Sequence, residues 1–457
     1  MIIDCFTFFN ELDLLEGRLE YLYENIDKFI IVEANITFTG NDKPYVFMEN
    51  TSRYKKYLDK IFYFPVFLDK SKYDFSLPSA AWAVEKDQRN AIANALGFFP
   101  KESHVLIGDV DEIPHKSAIL YAVASLVVDW PDMTILQNVL VYGFNYKLGV
   151  SPNVNNDQYG NNGYPQTVVT TAQRACDLTP EFLRVNRPSN LAVLSHATRT
   201  SKGHCAGWHL TYWGDVENVQ LKLKSFSHTE LNTNSINNYD NVKDSKEKGI
   251  LLSYNPIALM PVDARDIDPE IFRIFRPYCG NINHYYQNVD GWFSEEDAEL
   301  YKMMVANAKD SQHYVEIGSY KGRSSSLMAV EIFNSKKSIK FDCVDTWLPN
   351  ELYEDLTYDE FMYNMEPMQG YFTPVRMGSI EAAALYEDNS LDFVFIDALY
   401  DYESVKNDIV AWLPKVKING YIGGHDYWSH DTVHLAVNHT LGSVLSIGNC
   451  FYYQKVS

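Results

Sequence analysis

Paired cysteines and long apolar runs are both scarce in this 457-residue chain. Its cysteines are far apart and form no Cys-x-x-Cys pair: Cys5, Cys176, Cys205, Cys279, Cys343 and Cys450. This spacing excludes a cysteine-based zinc site and a dense disulfide framework, and it favours a reducing compartment. The longest apolar helical stretch, near residues 118–128, is too short to cross a bilayer. The start of the chain shows no signal-like segment. We therefore expect a soluble protein without an integral membrane segment.

Basic charge is also scarce. The chain has 39 Lys and Arg against 60 Asp and Glu, which gives a formal net charge of -21. A nucleic-acid-binding protein needs a basic face, so we expect no nucleic-acid partner. Any substrate that carries phosphate must be held by local basic side chains, by backbone N–H groups or by a metal ion.

The length exceeds that of one ordinary hydrophobic core, which predicts two domains or one domain with large additions. In the first half, strand-like runs at residues 2–9, 29–32, 63–67 and 105–107 alternate with amphipathic helical stretches, the first of them capped by Asn10. Such alternation predicts an α/β fold with a mostly parallel sheet. Ligands bind beyond the carboxyl ends of parallel strands, and Glu33, Asp109 and Asp111 all fall at such ends.

Asp109 and Asp111 form an Asp-x-Asp sequence directly after an apolar strand and Gly108. In an extended chain, residues two apart point to the same side, so the two carboxylates can face one point. A hard divalent cation prefers oxygen ligands and commonly bridges to substrate phosphates. The pair therefore fits a metal clamp for a nucleotide-sugar diphosphate; the alternative is an ordinary acidic turn.

Several ordered motifs support the metal-clamp interpretation. They are Ile-Asp-Cys-Phe-Thr-Phe-Phe-Asn-Glu-Leu-Asp-Leu-Leu-Glu at 3–16, Glu-Lys-Asp-Gln-Arg-Asn at 85–90, Gly-Trp-His-Leu-Thr-Tyr-Trp-Gly at 207–214 and Ser-Phe-Ser-His-Thr-Glu at 225–230. Together they resemble glycosyltransferase family 17, the family of β-1,4-mannosyl-glycoprotein N-acetylglucosaminyltransferase, over about the first 235 residues.

The resemblance implies an inverting transferase with a GT-A-like nucleotide-sugar-binding fold, a UDP-sugar donor and a Mn²⁺ or Mg²⁺ site. Asp111 would be a metal ligand, and Asp109 would support the ion or the donor ribose. Arg89 would bind donor phosphate because its fork matches phosphate oxygens, unless it is an exposed helix arginine. Glu33 would hold the donor ribose or base, or else simply end a strand.

Two histidines and three acids complete the first predicted site. His209 and His228 lie in the two late motifs, and we expect one of them to complete the metal shell. An inverting transfer also needs a general base that deprotonates the acceptor hydroxyl. Glu112, Asp215 and Glu230 are the candidates, with Glu230 preferred.

We place the domain boundary near residue 283, which gives a glycosyltransferase domain at 1–282 and a second domain at 283–457. The second domain has Val-Glu-Ile-Gly at 315–318, a strand that ends in Asp345, Phe-Ile-Asp at 395–397 and Gly-His-Asp-Tyr at 424–427. From about residue 314 onward this order resembles a Rossmann-like class I S-adenosylmethionine-dependent methyltransferase of the small-molecule and sugar O-methyltransferase group.

This second resemblance also implies site residues. Those that would bind S-adenosylmethionine are Glu316, Gly318 and Gly322 at its methionine end, Asp345 at its ribose and Ser379 near its adenine. Where relatives use a divalent ion, the matching ligands here are Asp397, His425 and Asp426. His425 could instead act as a base. Relatives often have His at the position of Tyr400, which weakens the case for metal or for histidine base chemistry at that position.

The sequence therefore predicts a bifunctional enzyme that transfers a GlcNAc-like sugar to a glycan acceptor and O-methylates a sugar hydroxyl. A glycan-binding or structural protein built on decayed enzyme domains is one alternative, and a chain with a single active domain is another. Animal members of the first family carry a membrane anchor, and we expect none in this chain. We expect a cytoplasmic location in a bacterial or virus-infected cell.

Overall fold

The computed structural model describes residues 1–126, 131–148, 164–190, 192–194, 206–348 and 357–456. The chain divides into two compact units, Met1–Val262 with Asp266–Gly280 and Asp263–Arg265 with Asn281–Ser457. Both units are α/β, which confirms the predicted fold class. None of the described helices has the length and apolar content that a bilayer span requires.

The first unit contains thirteen strands in the part of the chain that the structure describes. They are β1 (Ile2–Phe8), β2 (Lys28–Ala34), β3 (Ile61–Val66), β4 (His104–Asp109), β5 (Glu112–Pro114), β6 (Met133–Val141), β7 (Tyr146–Lys147), β8 (Tyr164–Thr171), β9 (Ala192–Leu194), β10 (Gly207–Thr211), β11 (Ile250–Leu251), β12 (Ile257–Ala258) and β13 (Met260–Pro261).

Its described α-helices pack against these strands. They are α1 (Leu12–Leu22), α2 (Val46–Glu49), α3 (Ser79–Leu96), α4 (Lys116–Ser125), α5 (Ala172–Leu178), α6 (Pro180–Asn190), α7 (Val216–Ser225), α8 (Tyr239–Lys248) and α9 (Pro269–Phe275).

One mixed sheet joins eleven of the strands, and its central part runs β8-β4-β1-β2-β3. The pairs β4-β1, β1-β2 and β2-β3 are parallel, whereas β8 is antiparallel to β4. The register pairs Thr7 with Asp109, so β1 and β4 end at the same edge. β10 pairs with both β5 and β6 and brings His209 opposite Glu112.

The β1–α1 connection differs from its prediction. Helix α1 begins at Leu12, and Asn10 does not cap it. Instead, the carboxylate of Glu11 accepts hydrogen bonds from the backbone N–H groups of Phe9 and Asn10, at 3.1 and 3.0 Å. The loop therefore satisfies its own amides with an acid, and Glu11 stays at the end of β1 rather than turning to solvent.

The second unit contains strands β14 (Gln312–Ile317), β15 (Ile339–Asp345), β16 (Thr373–Arg376), β17 (Leu391–Ile396), β18 (Val416–Gly424), β19 (Leu445–Ile447) and β20 (Cys450–Gln454). Its described α-helices are α10 (Glu295–Asn307), α11 (Arg323–Ser335), α12 (Thr357–Met365), α13 (Ser379–Ala383), α14 (Tyr402–Trp412) and α15 (Asp431–Leu441).

These seven strands form one sheet in the order β16-β15-β14-β17-β18-β20-β19. The pairs among β16, β15, β14, β17 and β18 are parallel, and β20 is antiparallel to β18 and β19. The order reverses at β14, which has β15 on one side and β17 on the other. In doubly wound sheets this switch point forms the ligand crevice, because neighbouring connections leave in opposite directions.

Candidate functional site

The first unit has a cavity of about 550 Å³ where β1 and β4 end. Thr7, Asp109, Asp111, Arg89 and His209 are among its lining residues. The topology accounts for this gathering, because the carboxyl ends of neighbouring parallel strands meet at one edge. The Asp-x-Asp pair therefore lies in a cavity rather than on an exposed turn.

Asp109 is held by cations. Its Oδ1 accepts a hydrogen bond from the Thr7 hydroxyl at 3.1 Å and lies 3.3 Å from Arg89 Nη2, while its Oδ2 accepts from Arg184 Nη2 at 2.9 Å. Burial alone would raise the pKa of Asp109, but the two guanidinium groups outweigh it and hold the pKa well below its usual value. Asp109 is therefore ionised, and the charges of Arg89 and Arg184 balance its negative charge.

Asp111 has a different set of partners. Its Oδ2 lies 2.8 Å from Lys222 Nζ and 3.4 Å from His209 Nε2. Burial opposes ionisation of Asp111 as well, and the charges of Lys222 and His209 overcome it and keep the pKa below its usual value. On the other side of the ring, the amide of Gln166 lies 3.2 Å from Nδ1 of His209.

The carboxylate of Asp111 and the imidazole of His209 fit a divalent ion as two of its ligands. One carboxylate and one imidazole suffice where substrate phosphates and water supply the other ligands, as is usual for Mg²⁺. Rotation of the Gln166 amide by half a turn would let His209 Nδ1 donate to it and would free Nε2 for an ion. Lys222 shares Oδ2 of Asp111, so the amine and an ion would compete for that oxygen.

Two buried arginines shape the turn that carries the acids. Arg18 is fully buried, and its guanidinium forms a two-pronged pair with Asp4 at 2.7 Å. Its Nη1 also donates to the backbone carbonyls of Asp109 and Glu112, at 3.0 and 2.5 Å. Arg184 pairs with both carboxylate oxygens of Glu112 at 2.6 Å. The conformation of this turn therefore depends on side chains from α1 and α6.

The structure separates the two late histidines. His209 lies beside Asp111, as described above. His228 lines the same cavity, but its Nδ1 pairs with Glu230 at 2.7 Å and its ring packs edge-on against Trp82. Within the described residues only His209 is placed to share an ion with Asp111.

The three carboxylates predicted as candidate general bases have other partners in the structure. Glu230 is about half exposed and pairs with His228. Asp215 accepts a hydrogen bond from the backbone N–H of Asn218 and caps α7. Glu112 lines the cavity, but both its oxygens are bound by Arg184. Asp215 and Glu230 are not among the residues that line the cavity.

Two further predicted donor-binding residues are occupied by protein partners. Arg89 lines the cavity, yet its guanidinium pairs with Glu85 and Glu181 at 2.5 Å as well as with Asp109. Glu33 is fully buried and accepts from the backbone N–H groups of α2 and from Lys43, which does line the cavity. Glu33 therefore acts on this cavity only through Lys43.

Sequence reasoning missed three residues here: Lys222, Arg184 and Glu11. Lys222 begins the stretch that leads into the motif at 225–230, so the sequence contained a signal for it. No motif marks Arg184. The carboxyl of Glu11 lines the cavity, and burial raises its pKa, although nearby Lys222 opposes this effect.

The second unit has a cavity of about 610 Å³ at the carboxyl ends of β14, β15 and β17. Four predicted residues line it: Gly318, Asp345, Ser379 and Asp397. Gly318 has φ +88, and a Cβ there would lie 2.0 Å from the carbonyl oxygen of Asp397. Glycine is therefore required where the backbone closes around the cavity.

The other two predicted cofactor-binding residues of this unit, Glu316 and Gly322, are buried. Glu316 is fully buried and accepts hydrogen bonds from the hydroxyls of Tyr301, Ser319 and Ser325. Gly322, at φ +89, precedes the first turn of α11. The structure does not place Glu316 or Gly322 on the cavity wall, and a Cβ at Gly322 would meet Met365 and Phe361 of α12.

Asp345 and Ser379 are positioned by hydrogen bonds. The carboxylate of Asp345 accepts from the backbone N–H groups of Tyr320 and Trp347, at 2.9 and 2.8 Å. Ser379 donates to Asp408 and accepts from the indole N–H of Trp412 at 3.0 Å. An acid at the end of β15 can accept ribose hydroxyls, so the set fits an adenosyl cofactor.

His425 follows β18 and is surrounded by carboxylates. Its Nε2 lies 3.2 Å from Asp297 Oδ2, and its Nδ1 lies 3.4 Å from Asp426 and 3.6 Å from Asp397. Burial would lower the pKa of His425, but hydrogen bonds with Asp297 and Asp397 raise it to about 10. In the absence of a metal ion, such a ring carries its proton at neutral pH, which does not support His425 as a general base.

Tyr400 lies close to another histidine. Its ring is half exposed and stacks on His430, with ring centroids 4.5 Å apart. His430 Nε2 is 4.0 Å from Asp426. An imidazole from a different part of the chain thus lies beside the position where relatives often have histidine.

Comparisons with known proteins agree with both resemblances. Residues 1–154 match the model of glycosyltransferase family 17, and residues 315–427 match that of a methyltransferase domain. Human β-1,4-mannosyl-glycoprotein 4-β-N-acetylglucosaminyltransferase is 24% identical over 240 residues, which cover 49% of this chain and 43% of the human protein. An uncharacterized protein of Sinorhizobium fredii is 23% identical over 31% of this chain and 16% of its own. The chain therefore spans less than half the length of either relative.

Solved structures similar to this chain include two O-methyltransferases. NovP has 16% sequence identity and a TM-score of 0.28, over 35% of this chain and 80% of its own. A TDP-rhamnose 3'-O-methyltransferase of calicheamicin biosynthesis has 12% identity and a TM-score of 0.27, over 34% and 76%. The chain thus matches glycosyltransferase family 17 in its first third and a methyltransferase domain in its last third.

Proposed function

We propose that the first unit transfers a sugar from a nucleotide donor to a glycan hydroxyl with inversion, and that the second methylates a sugar hydroxyl with S-adenosylmethionine. The observation that carries the first activity is the meeting of Asp111, His209 and Lys222 at one cavity wall. A UDP-sugar, GlcNAc-like in its sugar, is the donor that the named activity of the human relative suggests.

In this proposal Asp111 and His209 hold Mn²⁺ or Mg²⁺. The ion would supply positive charge to the donor diphosphate. Lys222 lies beside Asp111 and adds a second positive charge for the diphosphate as it leaves with the electron pair of the sugar C1–O bond. Arg184 and Arg89 hold Asp109, which keeps the acid turn in place while charge moves.

For methylation, the acceptor hydroxyl releases its proton to water, its oxygen bonds to the methyl carbon, and the carbon–sulfur bond breaks to release S-adenosylhomocysteine. Gly318 lets the backbone approach the cofactor, and Asp345 lies where the ribose hydroxyls would bind. Fusion of the two domains favours one shared glycan, because the product of one site stays at raised local concentration near the other.

A cytoplasmic location, in a bacterial or virus-infected cell, is part of the same proposal. It is supported by the described cysteines, Cys5, Cys176, Cys279, Cys343 and Cys450, none of which is bridged. Cys205 lies outside the described residues. Unbridged cysteines suit a reducing compartment.

The deciding experiment offers the full chain UDP-GlcNAc, other UDP-sugars and GDP-sugars with Mn²⁺ and counts the released nucleotide. Asp111→Asn should abolish release, because it removes the charge that faces Lys222 and the ion. Asp244→Asn, an exposed acid on α8, is the matched control and should leave release unchanged. Methyl transfer from labelled S-adenosylmethionine to a sugar acceptor, measured on the same samples, should survive both substitutions.

Two outcomes would contradict the proposal. If no donor gave metal-dependent release and none shifted the melting temperature, sugar transfer would be rejected. If folded Asp111→Asn lost methyl transfer as well, the two activities would not belong to separate sites.

A further inference from the structure

His425 is shared by two groups of potential metal ligands in the described part of the second unit. One group, Asp297 and Cys450, faces Nε2, and the other, Asp397 and Asp426, faces Nδ1. Each group, together with the ring, offers three ligand atoms within 4.8 Å of one another. One ring cannot present a lone pair on both sides, so the hydrogen bonding must decide which side can hold an ion.

The Asp297 side is filled by donors. Oδ2 accepts from the backbone N–H and the hydroxyl of Ser294, at 2.9 and 2.8 Å, and from His425 Nε2. Oδ1 accepts from the backbone N–H of Asn449 at 2.7 Å and from Cys450 Sγ at 3.6 Å. A carboxylate has about four lone-pair sites, and here five donors occupy them. An ion on this side would have to displace several of these donors.

The opposite side is more open. Asp397 lines the 610 Å³ cavity, and Asp426 accepts from the Ser429 hydroxyl at 2.7 Å and from the Asn449 amide at 3.3 Å. Both acid side chains are about a quarter exposed, whereas Asp297 is almost fully buried. One imidazole nitrogen and two carboxylates that face one point form a donor set for a divalent ion that keeps water or substrate as further ligands.

The backbone of Asp426 has a conformation that is unfavourable for residues other than glycine. Its φ is +63, in the left-handed region that residues other than glycine rarely adopt. Such a conformation persists only where its surroundings enforce it, and it often marks a functional site. The hydrogen bonds from Ser429 and Asn449 are among the contacts that hold Asp426 in this position.

We propose that Asp297 is a positioning residue: it accepts a hydrogen bond from Nε2–H of His425. This contact orients the ring so that its Nδ1 lone pair, together with Asp397 and Asp426, faces a divalent cation. The inference rests on the proposed methyl transfer in this unit. A histidine that ligates a metal commonly donates its other N–H to a carboxylate, which fixes its tautomer and its orientation. Asp297 belongs to α10, outside the residues that match the methyltransferase model.

Asp297 has a second role that the test must separate. It forms the capping box of α10 with Ser294, so its loss would also weaken that helix end. Ser294→Ala damages the same capping box but leaves the contact between Asp297 and His425. The pair of variants therefore distinguishes orientation of the ring from stability of the helix.

The experiment measures Mn²⁺ affinity by calorimetry on the full chain with Asp111→Asn, so that the proposed first-unit site is silent. Asp297→Asn should weaken Mn²⁺ binding about 10–100-fold, the usual effect of losing such a partner. Ser294→Ala should change it less than about twofold. Binding of S-adenosylmethionine to each variant confirms that the second unit is folded.

Equal Mn²⁺ affinity in Asp297→Asn and its parent would overturn the inference, as would an equal loss in Ser294→Ala. Should Asp297→Asn fail to fold, ¹⁵N NMR of the histidine ring in the parent chain with Mg²⁺ decides: Nε2 must keep its proton, and an ion on Nε2 overturns the assignment. A parent chain that binds no Mn²⁺ also overturns it. Methyl transfer that persists in a chelator would then leave the proposed function intact.

Discussion

The two cavities both gather acids at the ends of parallel strands, but they stabilise those acids differently. In the first unit, permanently charged side chains face the carboxylates: Arg184 beside Asp109 and Lys222 beside Asp111. In the second unit, Asp345 is held by backbone N–H groups, and Asp297, Asp397 and Asp426 surround one imidazole, that of His425.

This difference matches what each cavity is proposed to bind. A diphosphate is negatively charged, so a cavity wall that carries Arg and Lys side chains can bind it together with a metal ion. An adenosyl cofactor offers ribose hydroxyls, which need only a carboxylate held by neutral donors. Arg and Lys side chains therefore face the acids of the Asp-x-Asp pair in the first cavity, whereas one imidazole faces Asp397 in the second.

The largest effect is expected from Arg18→Met, which removes a fixed cation from the first unit. Asp4 would be left as a buried, unpaired charge, and breaking such a pair costs about 3–5 kcal/mol. The turn at residues 109–112 would also lose its hydrogen bonds from this guanidinium. Urea unfolding of the full chain should show the loss in the first unit, with S-adenosylmethionine binding retained in the second.

Arg53→Met is the matched control, because Arg53 pairs with Asp13 and Glu16 at a partly exposed site of the same unit. Exposed pairs contribute about 0–1 kcal/mol. A cost for Arg18→Met no larger than that of Arg53→Met would show that the buried pair is not what stabilises the acid turn.

A smaller but more local effect is expected from Gly318→Ala in the second unit. The new Cβ would lie 2.0 Å from the carbonyl oxygen of Asp397, at a φ of +88 that alanine disfavours. Backbone strain of this kind costs about 1–3 kcal/mol. Calorimetry should therefore show S-adenosylmethionine affinity reduced by about tenfold or more, while nucleotide release by the first unit is unchanged.

Gly378→Ala tests whether any added methyl group in this cavity has the same effect. Gly378 lines the same cavity at φ -66, and its nearest neighbour to a new Cβ is a Glu381 carboxylate oxygen at 3.7 Å. We expect little change in affinity. Equal losses in the two variants would mean that bulk in the cavity, rather than the conformation of Gly318, controls binding.

The sequence located acids at strand ends well, because one physical rule governs them. Parallel strands end at a common edge, so an acid that directly follows an apolar run lies at that edge, as Asp109, Asp345 and Asp397 do. Glu33 follows the same rule in sequence but not in space. It is the penultimate residue of β2, and its side chain points inward to Lys43 and α2.

The partners of those acids were far harder to predict. Arg18 lies 91 residues before Asp109, and Lys222 lies 111 residues after Asp111. Periodicity and motif spacing describe only neighbouring residues, so they do not show which distant residue pairs with a given acid. His425 was found from its motif, whereas Asp297, which holds it, lies 128 residues earlier in the chain.

A pH dependence of stability is also expected in the second unit. The raised pKa of His425 contributes stability that is fully present below about pH 6.5 and is lost as pH rises through about 10. Asp109 and Asp111, with lowered pKa values, lose their contribution only below about pH 4.

Thermal unfolding of the chelator-treated full chain between pH 7 and 10 should therefore lower the second unit's transition by about 2–4 °C for each kcal/mol lost. The acids of the first cavity add no slope over this range. His425→Gln should flatten the decline, since it removes the titrating ring but keeps a side chain of similar size. An undiminished decline in His425→Gln would assign the effect to other groups, and the contrast between fixed and titrating cations would then fail.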